Sequence, residues 1–207
     1  MKLTSEEARE MLEEIRKKVE DDRWITHSLT VGDSAGRIAK ALVDKGYSVD
    51  VDKAITLGYL HDIGKSFKYE HDGVFSHAIY GYNYIKLLGY DEEYAGICIK
   101  HSFLNNDIDC LANDRDEADK LNPNYEFVKE YIKKNYTIYE KIINLCDLMC
   151  TEKVLTVDKR MIDLLYRHGV FAKTHYHIEQ TIKLKEYFDN LLGYNLYDLF
   201  PEIKENL

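Results

Sequence analysis

Apolar residues recur along this chain with helical spacing, and strand-like alternation never persists beyond a few positions. The pattern predicts an all-α fold. A first helix begins at a Thr4 or Ser5 cap, carries Glu6 and Glu7 in its first turn and extends to about Glu20. A second runs from about His27 to Lys45 and stops at Gly46, with Val31, Ala35, Ile38 and Leu42 on one buried face. Asp50 or Asp52 opens a third over roughly 52–62, ending by Gly64. Ser76 is expected to cap a fourth at about 77–88, closed by Gly89, and Asp91 opens a fifth that ends near His101. From Ser102 to Leu121 the periodicity dissolves into a loop of about 20 residues, a length that suits either a functional lid or a surface excursion. Helices resume at roughly 125–134, 137–150, 156–168 and 175–192.

Composition narrows the class. The chain has 207 residues, 45% hydrophobic and 12% aromatic, enough for a core and for one domain with appendages or two small ones. Acidic residues outnumber basic ones 37 to 28, a net charge of −9, which disfavours long nucleic acids and anionic membranes as partners. No run of 18 apolar residues is present, so no membrane span is expected. The charged start Met1-Lys2-Leu3-Thr4-Ser5-Glu6-Glu7 does not resemble a secretory leader. Four cysteines without CxxC spacing fit reduced thiols and a cytoplasmic location. Cys146 and Cys150, four apart on a predicted helix, read as buried packing positions rather than metal ligands.

The candidate chemistry lies in the histidines. His27 begins the second helix, His61 and Asp62 close the third, His77 begins the fourth and His101 ends the fifth. Asp147 sits in the apolar stretch Ile142-Ile143-Asn144-Leu145-Cys146-Asp147-Leu148-Met149, where a carboxylate is costly unless paired or metal-bound. Four histidines and two aspartates on successive helices are what a helical bundle uses to build an internal metal site. A second His-Asp pair, His71-Asp72, falls in a polar loop and reads as a solvated turn. His175 and His177, at i,i+2, do not share a helix face and are not expected to chelate together.

The string His61-Asp62-Ile63-Gly64-Lys65, with His27 upstream and Asp147 downstream, resembles the HD-domain superfamily of metal-dependent phosphohydrolases. The ordered pattern H…HD…D fits that family's four core ligands as His27, His61, Asp62 and Asp147. His77 and His101 match the subset with two intervening histidines, a layout similar to the HD-type diadenosine tetraphosphate hydrolases. Lys65 stands where the (p)ppGpp hydrolases carry a Glu, and no GYP signature follows. The resemblance implies an HD helical bundle over 23–151, preceded by an N-terminal helix at 1–22 and followed by a helical C-terminal extension at 152–207 packed on it.

It also implies hydrolysis of a nucleotide or other small phosphate ester by a metal-activated hydroxide. The cofactor would be one or two divalent ions, Fe or Mn first, with Co, Ni or Zn as alternatives. Asp62 would bridge a first ion on His27, His61 and Asp147 to a second on His77 and His101, about 3.5–4 Å away. Catalytic roles fall to Asp62 and Lys65, and substrate phosphate contacts to Lys65, Arg115 and Arg160. Two other readings stand beside this one: a di-iron HD-type oxygenase, and a non-catalytic metal- or nucleotide-binding sensor. The expected partner is a small phosphorylated substrate, and a homodimer is compatible with the sequence.

Overall fold

The computed structural model describes residues 1–68, 74–108, 122–171 and 173–206. Among these the fold is all-α, with no strand beyond an isolated bridge between Cys150 and Val154. In chain order the helices are α1 (Ser5–Arg16), α2 (Arg23–Asp44), α3 (Val51–Leu60), α4 (Val74–Leu87), α5 (Glu92–Lys100), α6 (Tyr125–Ile132), α7 (Ile138–Asp147), α8 (Val157–His168) and α9 (Thr174–Leu192). Short 3-10 turns lie at Ile63–Ser66, Leu104–Asn106, Leu196–Leu199 and Pro201–Asn206.

Local chemistry sets most of the helix starts. Thr4 with Glu7 and Thr137 with Glu140 form reciprocal capping boxes, while Asp50 and Thr156 accept from the backbone N–H three residues on. Ser76 is not a cap, because α4 already begins at Val74. Helix α1 stops at Arg16 rather than near Glu20, and α2 starts four residues earlier than expected, at Arg23. The run from Lys17 to Asp22 carries one apolar residue, Val19, packed against the core, too little of an apolar face to extend α1 through it.

One main core joins Leu3 and Leu12 at the N-terminus, the buried faces of α2, α3, α5 and α7, and Phe188, Phe200 and Ile203 near the C-terminus. Helix α9 packs against α2, α7 and α8. A smaller cluster of Phe75, Phe103, Val128, Tyr131 and Ile132 ties α4 and α6 together. Two close backbone approaches decide where the chemistry sits. At the α2–α3 crossing, a Cβ on Gly58 would lie 2.4 Å from Gly32 Cα. A Cβ on Gly64 would lie only 1.8 Å from the His77 carbonyl oxygen, so glycine alone lets α4 rest on the turn that follows Asp62.

Candidate metal centre

Five elements bring six side chains to one place. His27, expected at the start of its helix, comes instead from the second turn of α2, and His61 and Asp62 follow the last turn of α3. His77 comes from α4, His101 caps α5 and Asp147 ends α7. The ligating atoms fall into two groups, His27–His61–Asp147 and Asp62–His77–His101, each with its atoms within 4.8 Å of one another.

Asp62 joins the groups through different oxygens. Its Oδ2 lies 3.5 Å from His61 Nε2 and 3.9 Å from His27 Nε2, and its Oδ1 lies 3.4 Å from both His77 Nε2 and His101 Nε2. His27 Nε2 is 3.0 Å from Asp147 Oδ1, and the Nε2 atoms pair at 3.2 Å in each group, His27 with His61 and His77 with His101.

The outward-facing ring nitrogens fix how these imidazoles present themselves. His61 Nδ1 donates to the Gly58 carbonyl at 2.6 Å, His101 Nδ1 to the Ile97 carbonyl at 3.2 Å, and His27 Nδ1 to the Thr151 carbonyl at 3.3 Å. A carbonyl can only accept, so each Nδ1 carries a proton, and in the form that binds a metal each ring turns an Nε2 lone pair inward. Three such lone pairs and the oxygens of two carboxylates therefore converge. Acceptors at about 3 Å repel unless a cation sits among them, either a proton on one ring or a metal ion shared by the set. The donor set thus fits a divalent cation, and its mixture of imidazole and carboxylate suits Fe, Mn, Co, Ni or Zn.

The electrostatics agree. Burial works against ionisation of Asp62, yet Lys65 and the surrounding imidazoles outweigh it and hold the carboxyl well below its usual range. Asp147 is likewise kept ionised despite burial, chiefly by His27. Burial pushes His77 down to about 3, so this ring is neutral, the form that binds metal. Cys146 and Cys150 are buried, desolvation raises both thiols, and neither belongs to the cluster.

Neighbours hold the first set of side chains in place. Lys65 Nζ forms an ion pair with Asp62 Oδ2. Asn144, one turn before Asp147 on α7, donates to the His101 carbonyl at 2.5 Å and accepts from the Tyr136 hydroxyl at 2.6 Å. Ser102 Oγ lies 2.9 Å from His101 Nε2. The cluster opens into a cavity of about 530 Å³, whose wall includes Lys65 and, from the C-terminal helices, Arg160, Arg167 and His177.

Lys65 and Arg160, two of the phosphate contacts expected from the sequence, both line this cavity, whereas Arg115, the His71-Asp72 turn and most of the acidic loop lie outside the described residues. Sequence reading missed Arg23, Arg167 and His177 as cavity residues. Arg167 and His177 belong to elements far along the chain from the histidine pattern, and Arg23 looks like an ordinary charge at a helix start. Only the buried-face register of α9 could have singled out His177, which is 3% exposed beside exposed His175 and Tyr176.

A model of the HD domain matches residues 24–124, a span that holds five of the six clustered residues and stops before Asp147. The chain is 31% identical over 181 residues to the uncharacterized protein MJ0778 of Methanocaldococcus jannaschii, covering 86% of this chain and 95% of that protein. It is 36% identical over 115 residues to ribonuclease Y of Protochlamydia amoebophila, covering 53% of this chain but 21% of that protein. No solved structure gives a significant match. Sequence match, helical architecture and paired His/Asp groups agree: the chain belongs to the HD-domain family, a superfamily of metal-dependent phosphohydrolases.

Proposed function

We propose that this protein hydrolyses a nucleotide or another small phosphate ester with the help of one or two divalent cations. The observation that carries the reading is the division of labour at Asp62, whose two carboxylate oxygens each face a separate pair of imidazole nitrogens. One ion would be held by His27, His61, Asp147 and Asp62 Oδ2, and a second by Asp62 Oδ1, His77 and His101. When bound, such ions supply Lewis acidity toward phosphoryl oxygens and lower the pKa of water, so that a nucleophile is available at neutral pH.

The chain's own residues do the rest. The carbonyls of Gly58, Ile97 and Thr151 orient three of the imidazoles, and Asn144 fixes the end of α5 that carries His101. Lys65 is 39% exposed while its ammonium rests on Asp62, a position from which it can swing to a phosphoryl oxygen and offset the charge that develops during hydrolysis. Ser102, at the cavity wall, can orient a phosphate oxygen with its hydroxyl.

The net charge of −9 does not oppose a phosphorylated substrate, because two divalent cations would add four positive charges where the phosphate sits. No helix among the described residues is long and apolar enough to cross a membrane. Metal analysis of the purified chain, followed by phosphate-release assays with Mn and Fe, tests the reading. Bound metal and phosphate release that both disappear in Asp62→Ala are expected. Loaded protein that leaves every phosphate ester intact while consuming O₂ would replace this reading with the oxygenase one.

A further inference from the structure

The cavity wall opposite in chemistry to the acceptor cluster is basic. Arg160 and Arg167, three and ten residues into α8, both line the cavity and both bond to one oxygen of one carboxylate, Asp163 Oδ2, at 2.5 and 2.6 Å. Two guanidinium groups on a single carboxylate leave one positive charge over. Arg160 is only 11% exposed, and its Nε is buried without a hydrogen-bond partner. A guanidinium held this dry, with part of its donor fork unused, carries an uncompensated desolvation cost that a bound anion would relieve.

The other cations of the cavity are already engaged. Arg23 chelates Asp21 through two nitrogens and also feels Glu152, and Lys65 is on Asp62. The arginine wall and the cluster face the same cavity, which Asp62, His77, His101 and Asp147 also line.

We infer that Arg160 and Arg167 form an anion subsite that holds a second phosphate of the substrate, so that the protein selects molecules bearing two or more phosphates over simple monoesters. The inference rests on the hydrolase reading for the phosphate that is cleaved, but not for the subsite itself. Asp163 acts as the resting counter-ion: it keeps both guanidinium groups at the wall and competes with the incoming phosphate for them. The planar forks offer the paired N–H geometry that phosphate oxygens prefer, and the cavity is of the size that takes a nucleotide-sized ligand.

The test is calorimetric titration of the full chain with inorganic tripolyphosphate in EDTA, which reads the arginine wall with the metal chemistry switched off. Arg167→Gln, a substitution at a half-exposed position, is expected to weaken binding at least fivefold. Asp163→Asn, which removes the competing charge, is expected to tighten it at least threefold. Misfolding can only weaken binding, so the gain expected in Asp163→Asn tests the subsite even where Arg167→Gln loses binding by failing to fold. Binding by Arg167→Gln within twofold of the unaltered chain, or the absence of a gain in Asp163→Asn, would overturn the subsite.

Metal-loaded kinetics separate the two readings. Arg160→Gln is expected to raise KM for a nucleoside triphosphate about tenfold with kcat within about threefold, the signature of lost uniform binding. If no phosphate ester is hydrolysed but tripolyphosphate still binds through these arginines, the hydrolase reading fails and the subsite stands. If esters are hydrolysed but binding ignores both arginines, the subsite fails and the hydrolase reading stands.

Discussion

Gly64→Ala should damage the centre without touching a ligand. A Cβ at this position would meet the His77 carbonyl oxygen at 1.8 Å, the His77 carbonyl carbon at 2.7 Å and the Gly81 nitrogen at 2.7 Å. All three are backbone atoms of α4, so no side chain can swing aside. Reaching the 3.0 Å that real contacts require means moving α4 away by about 1.2 Å, the difference between 3.0 and 1.8 Å. His77 rides on that helix, and its Nε2 is 3.4 Å from Asp62 Oδ1. Overpacking of this kind costs about 1–3 kcal/mol, which for a chain of this length is a fall in Tm of about 2–12 °C. Misplacement of about 1 Å at a reacting centre can cost about 100-fold in rate.

Thermal melting, metal analysis and phosphate-release kinetics on the same preparation read all three effects. Gly81→Ala is the internal comparison, because its Cβ would meet Cys98 Sγ at 3.0 Å and Gly64 nitrogen at 3.1 Å, a tight but yielding contact. The variant at 64 should therefore lose more stability and more metal than the variant at 81. Equal Tm and equal metal content in Gly64→Ala and the unaltered chain would refute the argument that this glycine positions His77.

Other expectations follow from the same geometry. Asn144→Ala strips the buried His101 carbonyl of its donor and should lower stability by about 1–3 kcal/mol, with a weakened hold on the second ion visible in metal titration. Lys65→Met should retain bound metal but lower kcat by about 100-fold or more, and a variant that turns over normally would remove Lys65 from the chemistry. His177 is buried, and desolvation pushes its pKa down to about 4 from an ordinary value near 6.5. The unfolded chain then binds the extra proton between these values. His177 costs no stability above about pH 6.5; the cost grows as pH falls and is complete below about 4, where it is about 3 kcal/mol. Denaturant melts of His177→Leu should show a smaller loss between pH 7 and 4.5 than the unaltered chain, and parallel losses would argue against that burial effect.

Much of this architecture can be read from the amino-acid order, and the exceptions have physical causes. The caps at Thr4, Asp50, Thr137 and Thr156 act through neighbours three residues away, so local pattern suffices to find them. His61-Asp62 stands out because a buried helix ends there, and His27, His77, His101 and Asp147 stand out by their helix-end or apolar settings. Ser76 misleads because a good capping residue can sit inside a helix when tertiary packing, here Phe75 against Phe103, carries the helix start past it. The tautomers of the imidazoles were not legible, since they depend on carbonyls from a loop and two helix ends. Nor was the arginine wall: Arg160 and Arg167 sit in a helix with an ordinary charged face, and only the packing of the C-terminal helices turns them toward the cluster.

On this reading, six side chains from five elements would form one metal centre bridged by Asp62. Anomalous scattering from crystals grown with Mn or Fe measures this directly. One or two peaks are expected inside the ring of His27, His61, Asp62, His77, His101 and Asp147, with the first peak within coordination distance, about 2.0–2.2 Å, of His and Asp ligand atoms. Peaks only elsewhere on the chain, or none at full occupancy of added metal, would contradict it.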